Sequence, residues 1–259
     1  EANAPTSCDD AYAMPPSPIS TTAGPVTQAM STGAFAEAVV VDQSQCAPLP
    51  PDIDLSVACL LSCGVITGFG AVTNTAKLQE GQTCAVIGAG GVGLNTIQGA
   101  ALSGAAQIIA LDLSDEKLAT AQSFGATMGL RADDPASETL LREATAGRGV
   151  DYVFVTVGVP HVFETATSLL APGGAMVMVG MPHIDARVSY SPTTIAGLNQ
   201  SLLGSRMGQT VLKRDIPALL DLYRQGKLQL DSLVTARYPL SEINMAIETA
   251  RKGQAVRNV

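Results

Sequence analysis

An apolar run, Thr83-Cys84-Ala85-Val86-Ile87, leads directly into Gly88-Ala89-Gly90-Gly91-Val92-Gly93, and a small-residue helical pattern follows to Leu102. No other stretch constrains the chain so strongly. A strand without polar alternation belongs in a sheet covered on both faces. A Gly-x-Gly-x-x-Gly turn between such a strand and a helix is the setting of a dinucleotide phosphate loop. Gly88 permits the tight turn, Gly90 lets a pyrophosphate approach the backbone, and Gly93 lets the helix pack close to the sheet. With Gly91 and Val92, the first helical turn offers unpaired N–H groups and a positive dipole end.

Asp112 ends the next apolar run, 19 residues beyond Gly93. A carboxylate there accepts hydrogen bonds from the ribose hydroxyls of NAD and repels the 2′-phosphate of NADP, and no Arg follows directly to offset it. The alternative is an ordinary glycine turn in an α/β protein, with Asp112 a helix cap.

The flanking pattern predicts an α/β fold with a doubly wound parallel Rossmann sheet. Strands are expected over 83–87, 107–111, 150–157 and 174–179. Helices are expected over 93–102, from Ser114 to about 124, and over 161–170, spaced as βαβ crossovers. Upstream, a strand is expected over 35–41. A helix capped by Asp54 or Ser56 should run toward Gly64, and another over 67–76. Beyond Gly204, helices over 215–223 and 241–252 flank a strand over 233–238. Residues 1–30 read as irregular loop.

Composition excludes several partners. A net charge of −8 and only 15% charged residues in 259 argue against nucleic acid or an anionic membrane, which an acidic surface repels. No apolar run reaches the roughly 18–20 residues of a membrane span. Five scattered cysteines fit reduced thiols in a cytoplasmic protein better than a disulfide framework.

Cys63-Gly64-Val65-Ile66-Thr67-Gly68-Phe69-Gly70, with the glycine loop 18 residues after Gly70 and then Asp112 and Lys117, resembles the zinc-dependent medium-chain alcohol dehydrogenases. The likeness extends to Gly33-Ala34-Phe35-Ala36-Glu37, Val179-Gly180 and Gly253-Gln254-Ala255-Val256-Arg257. It implies part of a GroES-like catalytic domain over 1–64, a Rossmann NAD-binding domain over 65–203, and a return to the catalytic domain over 204–259. It also implies that the segment upstream of Glu1, with the remaining catalytic-zinc ligands and the proton relay, is missing.

By that resemblance Cys63 is a ligand of a catalytic zinc, while Cys59, four residues earlier, is read as core. Thr67 contacts the nicotinamide, Val92 packs on its ring, and Val157, Val179 and Leu203 hold the carboxamide through backbone groups. Lys117 lies near the adenosine ribose, or is a solvated helix lysine. Arg257 binds the pyrophosphate, or is simply surface. Cys8 is the fourth ligand of a structural zinc, or a free loop thiol. Met30 lies near the substrate pocket. His161 and His183 are read as surface or loop residues.

The implied reaction is reversible hydride transfer between a primary or secondary alcohol and NAD, giving an aldehyde or ketone. An S-(hydroxymethyl)thiol (formaldehyde) dehydrogenase, a zinc-free quinone or enoyl reductase, and a non-catalytic NAD-binding module remain alternatives. A homodimer or homotetramer joined along 187–201 is expected.

Overall fold

The structure, a computed structural model, describes residues 19–26 and 32–259. Six strands form one parallel sheet: β1 (Thr83–Ile87), β2 (Gln107–Asp112), β3 (Met128–Arg131), β4 (Val150–Val155), β5 (Leu170–Met178) and β6 (Ser201–Gly204). Their spatial order is β3-β2-β1-β4-β5-β6, so the chain returns to the middle of the sheet after β3. This reversal opens a crevice at the carboxyl ends of β1 and β4, where open α/β sheets take their ligands.

Helix α1 (Gly64–Gly70) precedes the sheet; α2 (Gly91–Leu102), α3 (Asp115–Ser123), α4 (Ser137–Ala144), α5 (Pro160–Ala166) and α6 (Pro192–Gly197) join its strands; α7 (Leu212–Arg224) and α8 (Ile243–Arg251) follow it. Alternation along the strands divides the core in two. Cys84, Val86, Ala110, Phe154 and Val177 face one side, where Ile66, Leu94, Ile97 and Leu220 cover them. Ala85, Ile87, Ile109, Val153 and Met176 face the other, beneath Leu141 and Phe163. Burial on both faces explains why β1 carries no polar alternation.

The expected bounds of β1 are reproduced, and Ser114 does cap α3, its hydroxyl accepting from the Lys117 amide. Asp54 caps the single turn Leu55–Ala58. Helix α2 opens at Gly91 rather than at 93, because the loop glycines themselves enter its first turn. The helix expected over 67–76 begins at Gly64 and continues as a π-helical turn, Ala71–Ala76.

Other expectations need correction. Residues 35–41 form no strand: Phe35 is 74% and Val40 97% exposed, and among the described residues no strand lies alongside to satisfy the backbone. Cys59 is exposed, not core, its thiol turned to the Ser56 carbonyl. Strands β3 and β6 and helix α4 were not anticipated.

The strand Val234–Ala236 pairs in parallel with Arg257–Asn258, outside the six-stranded sheet. Among the described residues no single helix is long and apolar enough to cross a membrane.

Candidate dinucleotide site

The glycine loop leaves β1 at the reversal point of the sheet. Gly88 has φ +98°, a left-handed conformation costly for other residues, and a Cβ there would also press on the Val157 side chain at 2.5 Å. A Cβ on Gly93 would collide with the Gly88 carbonyl. The loop can therefore close only with glycine at both positions. A Cβ on Gly90 would meet nothing within 4 Å. The chain's own packing does not demand that glycine, whereas a ligand approaching the backbone would. Gly90 caps α2 without a side-chain bond, so the first-turn N–H groups of α2 have no side-chain acceptor at that end.

Asp112 stands at the end of β2. One of its oxygens accepts from the Ala89 amide at 2.7 Å and the other from the Ser114 amide at 3.1 Å. The carboxylate thus pins the glycine loop on one side and the start of α3 on the other. Lys117, in the first turn of α3, is half-buried and makes no ion pair among the described residues.

Arg257 reaches this loop from the far end of the chain. Its guanidinium lies where a Cβ on Gly91 or Gly64 would be. Its one hydrogen bond goes to the Val256 carbonyl at 2.7 Å, and among the described residues no carboxylate pairs with it. Burial pulls its pKa below the usual guanidinium range, with nearby Cys63 opposing the shift. An uncompensated cation against a helix N-terminus calls for an anion.

Thr67 is buried on α1, and its hydroxyl is one of the few buried side-chain atoms without a partner. Val92 is half-buried beside it in the first turn of α2. Val157 and Val179 follow β4 and β5, and Leu203 lies on β6, so all three sit toward the carboxyl ends of adjacent strands. A Cβ on Gly180 would strike the Val157 carbonyl, which makes that glycine a packing requirement of the same edge. Gly64, in the Cys63–Gly70 motif, and Gly180, in Val179-Gly180, join the site through their backbone packing rather than through a side chain.

The metal expectations fare differently. Cys63 is an exposed thiol at the break between the 3-10 turn Cys59–Ser62 and α1. Among the described residues no three His, Cys, Asp or Glu side chains are grouped to hold a metal. His183 sits beside Asp185 in an exposed loop, and His161 opens α5, so neither joins Cys63. Cys8 and Met30 lie outside the described residues. A separate cavity of about 650 Å³, lined by Arg142, Glu164, Tyr190, Ile195 and Gln200, is set beside the amino end of β5, away from the glycine loop.

With this geometry in view, a family model described as zinc-binding dehydrogenase matches residues 91–225. An alcohol dehydrogenase of Malus domestica is 36% identical over 236 residues, covering 90% of this chain and 62% of the relative. An alcohol dehydrogenase class-3 of Dictyostelium discoideum is 35% identical, covering 89% and 62%. The chain thus spans about 62% of the length of these curated relatives. Among solved structures, an alcohol dehydrogenase zinc-binding domain protein from Burkholderia ambifaria superposes with TM-score 0.86 at 30% identity, over 92% of this chain and 65% of that one.

Proposed function

The chain belongs to the zinc-binding dehydrogenases of the medium-chain alcohol dehydrogenase family, and on that premise we propose that it binds NAD and serves an alcohol dehydrogenase. The observation that carries this reading is Arg257: a half-buried guanidinium without a carboxylate partner among the described residues, held over Gly91 at the mouth of the glycine loop.

The residues divide the work of binding. The α2 N-terminus and Arg257 take the pyrophosphate from two sides, the guanidinium fork matching phosphate oxygens. Asp112 accepts the ribose hydroxyls of NAD, and its charge turns away a 2′-phosphate. Lys117 lies one helical turn on, beside the same ribose. Val92 supplies an apolar surface for the nicotinamide, and the free Thr67 hydroxyl supplies a hydrogen bond there. The backbone at Val157, Val179 and Leu203 holds the carboxamide. NAD, once bound, carries the hydride chemistry. The protein contributes orientation and a water-poor crevice.

A zinc site does not fit the described residues by themselves, since Cys63 offers one thiolate where zinc takes about four ligands. Cys63 is one zinc ligand only if others come from outside these residues. Metal analysis of full-length protein beside its Cys63→Ala variant tests that: equal zinc in both would overturn the assignment. The segment 187–201 is proposed to pair with a second copy, which light scattering would detect as a dimer or tetramer.

Calorimetric titration of full-length protein with NAD and NADP, followed by NADH absorbance over a panel of alcohols, tests the main reading. Tighter binding of NADP would overturn the role of Asp112. Failure to bind either would overturn the site.

A further inference from the structure

A buried polar chain runs from the glycine loop to the far segment that carries Arg257. Asn95 and Gln98 lie on α2 and are 0% and 3% exposed. The Asn95 amide donates to the Gly91 carbonyl at 2.7 Å, and its oxygen accepts from the Gln98 amide at 3.2 Å. Gln98 also satisfies both backbone groups of Gln229: its amide donates to the carbonyl at 3.1 Å, and its oxygen accepts from the N–H at 2.7 Å. Gln229 is itself exposed but is flanked by buried Leu228 and Leu230, which anchor its backbone against Gln98.

Beyond Gln229 the chain enters Val234–Ala236, whose parallel partner is Arg257–Asn258. The guanidinium of Arg257 then returns to Gly91. Gly91 is therefore held through its carbonyl by one end of the polar chain, and faced by the residue whose strand the other end supports. A bidentate amide fixes one register, because it lines up with its backbone partners in only one position.

We propose that Gln98 is a positioning residue for pyrophosphate binding: it sets the height of Arg257 above the first turn of α2. This rests on the dinucleotide reading of the site. Gln98→Leu keeps the volume and removes the amide, leaving the Gln229 N–H and carbonyl unpaired. Strand 234–236 then loses its fixed register, and Arg257 its place.

The test compares ADP, which carries the pyrophosphate, with adenosine, which lacks it, by ligand-observed NMR on full-length protein. Gln98→Leu should weaken ADP on the order of tenfold and adenosine by less than about twofold. Equal loss for both ligands, or for neither, would overturn the positioning role. Wild-type protein that binds neither ligand would instead overturn the dinucleotide reading itself. Gln98→Glu keeps the test open should the leucine variant not fold. A protonated carboxyl can still donate to the Gln229 carbonyl, so ADP affinity relative to wild type should recover as pH falls from about 8 to about 5. A ratio that stays flat across that range counts against the proposal.

Discussion

At the scale of single residues, the site trades stability for binding. Arg257 is half-buried with no carboxylate beside it among the described residues, an arrangement that costs the folded protein free energy until an anion arrives. Arg257→Met should therefore leave the melting temperature of the unliganded protein unchanged or raised, while weakening NAD on the order of tenfold or more. Differential scanning calorimetry beside NAD titration checks both halves, and a lower melting temperature with unaltered affinity would contradict them. Asp112 makes the opposite bargain. Its oxygens already hold the Ala89 and Ser114 amides, so it preorganises the loop before any ribose is present. Asp112→Ser should narrow or reverse the preference for NAD over NADP and lose roughly 1–2 kcal/mol of stability with the two amide bonds. Paired titrations with the two cofactors and urea unfolding measure these effects.

At the scale of elements, legibility followed burial. Strand β1 could be read to the residue because both its faces are covered and all its central positions are apolar. Strands β3 and β6 escaped notice because they are the outer strands. Met128–Arg131 buries only Leu130, and Ser201–Gly204 buries no residue fully, so neither carries a pattern of its own. Helix α4 was missed for a related reason: beneath its charged surface the deeply buried apolar side chain is Leu141 alone. That helix offers a clean comparison. Leu141→Ala should cost about 2–5 kcal/mol, whereas Leu140→Ala, on the 39% exposed neighbour, should stay within about 0.5 kcal/mol. Urea unfolding of the two variants distinguishes them. The converse failure, at 35–41, shows a mostly apolar run ending in three valines that has no partner strand among the described residues. Within the site, the loop, Asp112 and Arg257 were visible as motifs. Gln98 was not, because its partner is the backbone of Gln229, and backbone leaves no trace in residue identity.

At the scale of the whole molecule, the two central strands are tied at their amino ends by a polar clasp. The Thr83 amide and hydroxyl both donate to Asp151 at 2.9 Å, and Arg148 pairs with the other carboxylate oxygen. Burial alone would raise the pKa of Asp151, but the Thr83 amide, Arg148 and the Thr83 hydroxyl together hold it below the usual carboxylate range. A lowered folded-state pKa gives stability that is present above the unfolded value near 3.8 and lost as pH falls through the folded one. Next to Thr83, burial pushes the Cys84 thiol up to about 12, with Asp151 adding to the shift. That contribution is intact below the unfolded value of 9.0 and lost as pH rises from there toward about 12. Stability measured by urea midpoint should therefore decline at both ends of the pH range. Asp151→Asn should flatten the acid limb and Cys84→Ala the alkaline one. Limbs unchanged in these variants would place the titrating groups elsewhere.

The reach of Arg257 back to Gly91 also has a consequence in time. The glycine loop is synthesised well before the guanidinium that faces it. At roughly 5–20 residues per second, the ribosome needs on the order of ten to thirty seconds to travel from Gly93 to Arg257. Through that interval a nascent chain has a phosphate loop without its clamp. It can begin to fold as a sheet before the proposed pyrophosphate clamp is in place, so a cofactor bound that early would lack the Arg257 contact.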